Sequence, residues 1–543
     1  MKIVTEKHFN RTVKVYEDRP KNLTEMLRQT VNDFSEKEAL VASSERLTYR
    51  QLWDNAEFTA GNLHYSYEIQ KGDRVAILVG NKIEFALLVF ACARIGAIAV
   101  TLNTRLQEME LSYMLNHSGA KVLIVDHEFI DKVEKMRHQG SLGEIQHFFV
   151  IGRAESGRKD YLPFELLLQK TVPPNINVDE DDPLFIMYTS GTTGKPKGAI
   201  GCHLGVIHSV MNYEHVLKTN SRTRTVIAVP LFHVTGMIGQ LLHMVRVGGT
   251  SVIMGRFKTG DYIRLISEEN ITFLFNVPTI YVMMMSHPDF TKHSYHSVNC
   301  IVYGGSSMSE ETISCLQKAF PGTSLHNAYG ATETSSPTTI LPQDCPESKI
   351  QSVGRAVPVA EVKVVDEGGN PCRSGEVGQL LIKGPMVIEG YWNNEEANRK
   401  SFVDGYWCSG DLAKIDEEGY VYIMDRMKDM INRGGEKIYS VEVENVLYNH
   451  PKILEAAVVG IPDGVFGEAV KAFVIPKEDA VITEEEVQQF VRERLADYKV
   501  PASIEFISEL PRNPGGKVIK GKLKEKSNMA SSNKGSHSCN ELI

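Results

Sequence analysis

The chain has 543 residues, with 42% hydrophobic and 23% charged residues and a net charge of −9. This length exceeds what one hydrophobic core supports, so we expect at least two domains, and the acidic balance argues against a nucleic-acid partner. The eight cysteines are dispersed without a CxxC pair, which favours reduced thiols in a cytoplasmic protein over a disulfide framework. The start, MKIVTEKHFN, lacks the apolar core of a signal peptide, and the most apolar segment, residues 85–100, contains Arg94, so no integral membrane segment is predicted.

Short apolar runs alternate with stretches of helical periodicity from about residue 45 to residue 340. The runs are rich in β-branched and aromatic residues and are bounded by Gly, Pro, Asp or Asn. They lie at residues 75–80, 97–103, 121–126, 225–230, 250–255, 271–278 and 300–305. Buried strands that alternate with helices predict an α/β fold with largely parallel sheets.

The stretch YTSGTTGKPKG, residues 188–198, has few side chains that could pack. It is not a Walker loop, because Thr189 stands where the first glycine is required and Pro196 follows Lys195. Its glycines allow backbone N–H groups to turn inward, and its hydroxyls and lysines add donors and charge, so it predicts an anion site; a solvated turn is the alternative. The candidate phosphate-binding residues are Thr189, Ser190, Gly191, Thr192, Thr193, Gly194 and Lys195.

The pattern changes after Gly354. Two alternating segments flank the turn sequence DEGGN at residues 366–370, which predicts a β-hairpin in a small β-rich subdomain. Further on, TEEEVQQFVRERLADY predicts a helix with a capping box between Thr483 and Glu486. We therefore predict an N-terminal domain over residues 1–425, with the β-rich subdomain at about 354–425, an α+β C-terminal domain over 426–526 and a disordered tail over 527–543.

Seven further motifs follow one another around this loop, and together they resemble the adenylate-forming superfamily, in particular its acyl-CoA synthetases. They are LTYRQLWDNA (47–56), GAIAVTLN (96–103), PLFHVTG (230–236), NAYGATETS (327–335), YWCSGDLAKIDEEGY (406–420), DRMKDMINRGGEKI (425–438) and LPRNPGGKVIKGKL (510–523). The resemblance covers nearly the whole chain. It implies a large domain with two mostly parallel α/β sheets and a small mobile α+β C-terminal domain.

The resemblance also implies that the protein binds ATP, Mg²⁺ and CoA in addition to a small carboxylic acid. It further implies roles for individual residues. Lys517, Glu333 and Thr332 are expected to be catalytic, and Glu333 also to hold the magnesium ion. Adenine is expected against Gly304, Gly305, Ser306, Asn327, Ala328, Tyr329 and Gly330, and the ribose against Asp411 and Arg426. Lys428 is expected to be the hinge, His233 the gate of the acid pocket and Gly435 part of the pantetheine tunnel.

Each role has a chemical reason and a simpler alternative. Forming acyl-AMP brings two anions together, so a cation such as Lys517 is needed between them, although Lys517 could be one more surface lysine of a basic segment. Glu333 could merely begin a helix, His233 could be a core histidine, and Gly435 could be a turn glycine. The departures from the motifs, Ser409, Asp425, Gly515 and Met308, remove no charged group.

The identity of the acid is less constrained. No carboxylate follows Phe232, which disfavours an amino acid as substrate. NVPTIYVMMM, residues 276–285, is expected to form part of an acyl wall, and its methionines favour a medium- or long-chain fatty acid. An aromatic acid of the coumarate or succinylbenzoate type is the alternative. A luciferase-like oxygenase and a non-catalytic nucleotide sensor are the competing functions, and whether the chain is a homodimer is left open.

Overall fold

The computed structural model describes residues 1–152, 160–189, 195–512 and 518–535. Within these residues the first large sheet has seven strands, which are parallel to their neighbours except at the edge where Lys197–Cys202 pairs antiparallel. In spatial order they are Lys197–Cys202, Pro183–Thr189, Ile98–Thr101, Arg74–Leu78, Val122–Asp126, His147–Ile151 and Tyr161–Pro163.

The second large sheet has nine described strands and a parallel centre with antiparallel edges. In spatial order they are Arg355–Ala356, Thr339–Ile340, Ser324–Tyr329, Cys300–Gly304, Phe273–Asn276, Arg224–Ile227, Thr250–Ile253, Glu38–Ala42 and Glu45–Thr48. Two largely parallel sheets in one domain confirm the predicted α/β fold class.

Helices cover the faces of both sheets, so the strands are buried as the continuous apolar runs predict. The helix Ile83–Ile95 is apolar on almost every side and ends at Gly96, whose φ of 67° is the left-handed conformation that glycine adopts readily. The helices of this part of the chain are Leu23–Phe34, Tyr49–Tyr65, Ile83–Ile95, Glu108–Ser118, Ile130–His138, His203–Leu217, His243–Val247, Thr259–Glu268, Pro278–Met285 and Glu310–Ala319, together with the π-helix Thr235–Leu242. An N-terminal hairpin, Ile3–His8 with Arg11–Tyr16, precedes them.

A smaller antiparallel sheet follows the second large sheet. Its strands are Glu361–Val365, Gly378–Lys383, Phe402–Val403, Tyr406–Ile415 and Val421–Arg426, and the helix Glu395–Ser401 lies between the second and third of these in the sequence. Val365 and Pro371 form a bridge across the DEGGN turn, as expected for a hairpin. This sheet is the β-rich subdomain that the sequence predicts.

The C-terminal part forms a separate sheet with its own apolar core. Its strands are Ile431–Arg433, Glu436–Ile438, Ile453–Asp463, Gly467–Pro476 and Ser503–Phe506, and its helices are Ser440–Tyr448, Glu484–Arg492 and Lys520–Gly535. Thr483 caps its helix by accepting a hydrogen bond from the Glu486 N–H at 3.2 Å, as predicted. That helix ends at Arg492, six residues before the predicted end, because the chain turns toward Pro501, which cannot continue a helix.

The last helix differs from the predicted tail. Disorder was expected from residue 527, whereas helix continues to Gly535, because the lysine- and glutamate-rich segment that begins it has good helix propensity and Leu523 anchors it in an apolar cluster. Among the described residues, no helix combines the length and the apolarity needed to cross a bilayer.

Candidate active site

The candidate nucleotide site begins at the carboxyl ends of two neighbouring parallel strands, Cys300–Gly304 and Ser324–Tyr329. Gly304 pairs with Ala328, and a Cβ atom on Gly304 would lie 2.3 Å from the Ala328 carbonyl oxygen. Gly305 has a φ of +81°, which also favours glycine. Gly304 is buried against the neighbouring strand, whereas Gly305 is exposed at this edge, where a flat base can approach its backbone.

A carboxylate stands beside Tyr329. The Tyr329 hydroxyl donates to Asp411 Oδ2 at 2.6 Å, and Arg426 Nε lies 3.7 Å from Asp411 Oδ1. Burial and the adjacent Asp411 carboxylate raise the pKa of Tyr329 well above its ordinary value, so it remains a neutral donor. Ser409 replaces the usual threonine but keeps its hydroxyl, which accepts from the Asp411 N–H at 3.0 Å. Asp411 and Arg426 are cross-strand partners, so the two predicted ribose residues lie together.

Glu333 lies in the short 3₁₀ turn Thr332–Thr334 and is 9% exposed. Its Oε1 atom accepts two hydrogen bonds, from Thr189 Oγ1 and from the Tyr391 hydroxyl, both at 3.1 Å. Its backbone oxygen accepts from the Ile388 N–H at 2.9 Å. A buried carboxylate beside a threonine hydroxyl offers hard oxygen ligands, which fit Mg²⁺.

The stem of the glycine-rich loop leads to this carboxylate. Tyr188 pairs with Gly198 and Thr189 pairs with Lys197. Lys195 Nζ lies 5.9 Å from the centroid of the Tyr113 ring, and Lys197 Nζ lies 4.9 Å from that of Tyr391. Of the predicted phosphate-binding residues, Ser190, Gly191, Thr192, Thr193 and Gly194 lie outside the described residues, as does Lys517.

Two family descriptions match different parts of the chain. The AMP-binding enzyme family matches residues 27–392, and the AMP-binding enzyme C-terminal domain matches residues 442–517. The chain belongs to the AMP-binding enzyme family. This confirms the family that the motifs indicate.

Three relatives of this AMP-binding enzyme show the breadth of the family. The 2-succinylbenzoate–CoA ligase of Bacillus licheniformis is 34% identical over 504 residues, which cover 92% of this chain and 98% of the relative. The long-chain-fatty-acid–CoA ligase FadD13 of Mycobacterium tuberculosis is 35% identical over 508 residues, covering 93% and 98%. The crystal structure of the anthranilate CoA ligase AuaEII with anthranoyl-AMP superposes with a TM-score of 0.88 at 28% identity, covering 94% and 98%.

His233 of this AMP-binding enzyme is half-buried at the start of the segment that leads into the π-helix Thr235–Leu242. Its Nε2 atom is buried and has no hydrogen-bond partner among the described residues. Burial, with a smaller contribution from the charge of Arg105, lowers the pKa of His233 to about 4. The imidazole is therefore neutral near pH 7, and no described residue uses the hydrogen-bonding capacity of its buried Nε2 atom.

The predicted hinge and tunnel residues lie on neighbouring turns. Lys428 is exposed in the turn between Val421–Arg426 and Ile431–Arg433, where the large domain gives way to the C-terminal sheet. Gly435, with Gly434, forms a two-residue hairpin turn in which both have positive φ, 97° and 61°. That conformation alone explains glycine at position 435. It supports the simpler reading of this residue, and the tunnel role stays a prediction.

Two groups of residues were not predicted from the sequence. Tyr391 holds Glu333 across 58 positions of sequence, and no pattern marks such a contact. The other group is a buried polar network that joins the last strand of the large domain to the C-terminal domain. Asp425 Oδ2 accepts from the Ser440 N–H at 2.5 Å and from its hydroxyl at 2.7 Å, and Lys520 Nζ contacts Ser440 Oγ at 2.5 Å and Glu444 Oε1 at 2.7 Å.

Proposed function

We propose that the chain activates a carboxylic acid with ATP and passes the acyl group to CoA. The protein is an AMP-forming acid–CoA ligase. In the first step an acid oxygen bonds to the α-phosphorus of ATP and the bond to pyrophosphate breaks. In the second step the CoA sulfur bonds to the acyl carbon, the bond to AMP breaks, and the thiol proton is released.

The observation that carries this proposal is the convergence of three groups at one sheet edge. The exposed backbone of Gly305, which follows the buried Gly304, is assigned to adenine together with Tyr329. Asp411 can accept hydrogen bonds from both ribose hydroxyls, because a carboxylate has several acceptor positions. Glu333, with Thr332 preceding it, stands at the end of the loop stem, where the phosphates would lie.

Charge neutralisation is the main requirement at the phosphates. Glu333 is the residue that would hold Mg²⁺, and the ion, when bound, supplies positive charge against the phosphate oxygens. Thr189 and Lys195, with residues 190–194, are assigned to the β- and γ-phosphates, as the resemblance implies. Lys517 is assigned to the acid carboxylate and the α-phosphate during the first step, and His233 to the mouth of the acid pocket.

The two steps need different groups over one pocket, which supports a rotation of the C-terminal domain about Lys428. Gly435 would then approach the pantetheine arm of CoA. The domain limits proposed for this motion are residues 1–425 and 426–526.

The cytoplasmic location stays a prediction, and the oligomeric state stays open.

Both acid classes have relatives among the proteins compared. One is named for a long-chain fatty acid, and two for aromatic acids. The test is release of pyrophosphate from ATP with a panel of fatty and aromatic acids, with and without CoA, followed by detection of the thioester. The proposal predicts a CoA thioester for at least one acid and no oxygen consumption. ATP binding without turnover of any acid would contradict it and would favour a nucleotide sensor.

A further inference from the structure

One aromatic side chain fills the space behind the candidate acid site. Gly304 ends a strand of the second sheet, and Gly239 lies on the π-helix that follows His233. A Cβ atom on Gly239 would lie 2.7 Å from Phe275 Cε1, and one on Gly304 would lie 3.7 Å from Phe275 Cε2. The Phe275 ring therefore lies between the strand edge and the helix, and the absence of a side chain at Gly239 gives it room.

Phe275 belongs to a group of packed rings, which we call the aromatic wall: Tyr213, His243, Phe273 and Phe275. The centroid of the Phe275 ring lies 5.8 Å from that of Tyr213 and 6.4 Å from that of Phe273. The centroid of the His243 ring lies 5.4 Å from that of Tyr213 and 5.6 Å from that of Phe273. Phe275 is 3% exposed and the other three are fully buried. Side chains with so little exposed area have no water-sized space beside them, so the wall is close-packed.

On the nucleotide side of Phe275 the neighbouring residues are more accessible than those of the wall. Gly305 and Ser306 are exposed, and His233, Thr235 and Ala331 are half-buried. An acid that enters from the nucleotide side would meet the aromatic wall at Phe275, whose ring is 3% exposed.

The helix that was expected to supply an acyl wall lies on the other face of the sheet. Ile280, Tyr281 and Met284 pack in one cluster with Leu274, whereas Phe275 packs in another, because successive strand residues point to opposite faces. Met284 is fully buried in that core, and Met283 is 45% exposed. These two methionines therefore give no support to an extended acyl tunnel.

We propose that Phe275 sets the depth of the acid pocket and restricts the substrate to carboxylic acids with a compact acyl group, a single aromatic ring or a short aliphatic chain. The inference rests on the proposed function, because it assumes that the acid carboxylate lies near His233 and the α-phosphate. A planar ring or a few carbon atoms end before Phe275. An extended alkyl chain requires the ring to leave a close-packed wall, which has no adjacent space to receive it.

The first test needs only the wild-type protein. Pyrophosphate release in the presence of ATP, Mg²⁺ and CoA is measured with benzoate, cinnamate, butyrate, octanoate, dodecanoate and hexadecanoate. The expected result is that kcat/KM is highest for a compact acid and at least tenfold lower for dodecanoate. Dodecanoate or hexadecanoate as the best substrate would overturn the inference while leaving the proposed function intact. No release with any acid would overturn the proposed function and this inference with it.

The second test changes the wall. Phe275→Ala is expected to raise the ratio of kcat/KM for dodecanoate to that for the best compact acid by at least tenfold. Phe149→Ala removes a fully buried ring of the first large sheet, outside the aromatic wall, and it is expected to change the ratio less than twofold. Thermal melting checks that both variants are folded, and Phe275→Leu provides a milder change with a shift in the same direction. An unchanged ratio in a folded Phe275 variant would overturn the inference.

Discussion

Glu333 shows how the site depends on single hydrogen bonds. The hydroxyl groups of Thr189 and Tyr391 both donate to its Oε1 atom. Thr189 belongs to the stem of the glycine-rich loop, and Tyr391 belongs to the β-rich subdomain. Two donors on one oxygen fix the orientation of the carboxylate before any ligand arrives. Tyr391 is therefore a positioning residue for Glu333. We assign it no direct contact with the reacting atoms.

Replacing Tyr391 by phenylalanine is expected to weaken Mg²⁺-dependent ATP binding. A hydrogen bond to a charged group contributes about 1.5–3 kcal/mol, and because Thr189 remains, the expected loss is about tenfold in affinity. Isothermal titration calorimetry with Mg·ATP measures this without turnover, and the Mg²⁺ concentration that gives half-maximal pyrophosphate release should rise with it.

Tyr281→Phe is the matched control for Tyr391→Phe. It removes a buried tyrosine hydroxyl that donates to the Val302 carbonyl oxygen at 2.7 Å, away from Glu333. It is expected to leave both quantities unchanged. Equal weakening in the two variants would show that Tyr391 contributes only to general packing.

At the scale of elements, the buried network at the domain junction places charged groups where burial is unfavourable. Burial raises the pKa of Glu444, although Lys520 opposes this shift, and the surrounding carboxylates raise the pKa of Lys520 against its burial. Lys520 therefore stays protonated, and we assign its 2.7 Å contact with Glu444 Oε1 to an ion pair. Asp425, which replaces a frequent glycine of the motif, extends this network to the last strand of the large domain.

Lys520→Met is expected to destabilise the protein by about 3 kcal/mol at pH 7, because it leaves the Glu444 carboxylate buried without its cation. With the cation gone, the folded-state pKa of Glu444 rises further above its unfolded value. Folding then takes up a proton, so the loss should shrink as the pH falls toward the unfolded pKa of a glutamate. Chemical denaturation at pH 7 and pH 5 measures this difference.

Lys522→Met, at an exposed position of the same helix, is the control and should change stability little at either pH. Adding Glu444→Leu to Lys520→Met should recover part of the lost stability, since no buried charge is then unpaired. A loss that is the same at both pH values would contradict the assigned ionisation of Glu444.

Local patterns were sufficient to predict most elements. Continuous apolar runs such as residues 121–126 and 300–305 predict buried parallel strands, and Thr483 with Glu486 predicts the start of its helix. The ordered motifs also predict that Tyr329, Asp411 and Arg426 contact the same nucleotide. Tyr391 could not be predicted, because its role arises from a tertiary contact. The burial of Lys520 could not be predicted either, because composition alone does not reveal that Glu444 and Ser440 enclose it.

The molecule as a whole combines two large sheets, which border the candidate nucleotide site, with a separate C-terminal sheet. The junction at residues 425–431 connects them through an exposed turn and a buried network. We propose that the two chemical steps use different groups of the C-terminal part, with Lys517 serving the first. The central claim is that the Lys517 ammonium acts only in the first of these steps.

The most direct measurement compares the two half-reactions in Lys517→Ala, with Lys524→Ala as the control from the same basic segment. Formation of acyl-AMP is followed by exchange of labelled pyrophosphate into ATP, and thioester formation by supplying acyl-AMP with CoA. We expect exchange to fall at least a hundredfold, about 2.7 kcal/mol of barrier, while thioester formation is largely retained. Equal loss of both half-reactions, or undiminished exchange, would contradict the account.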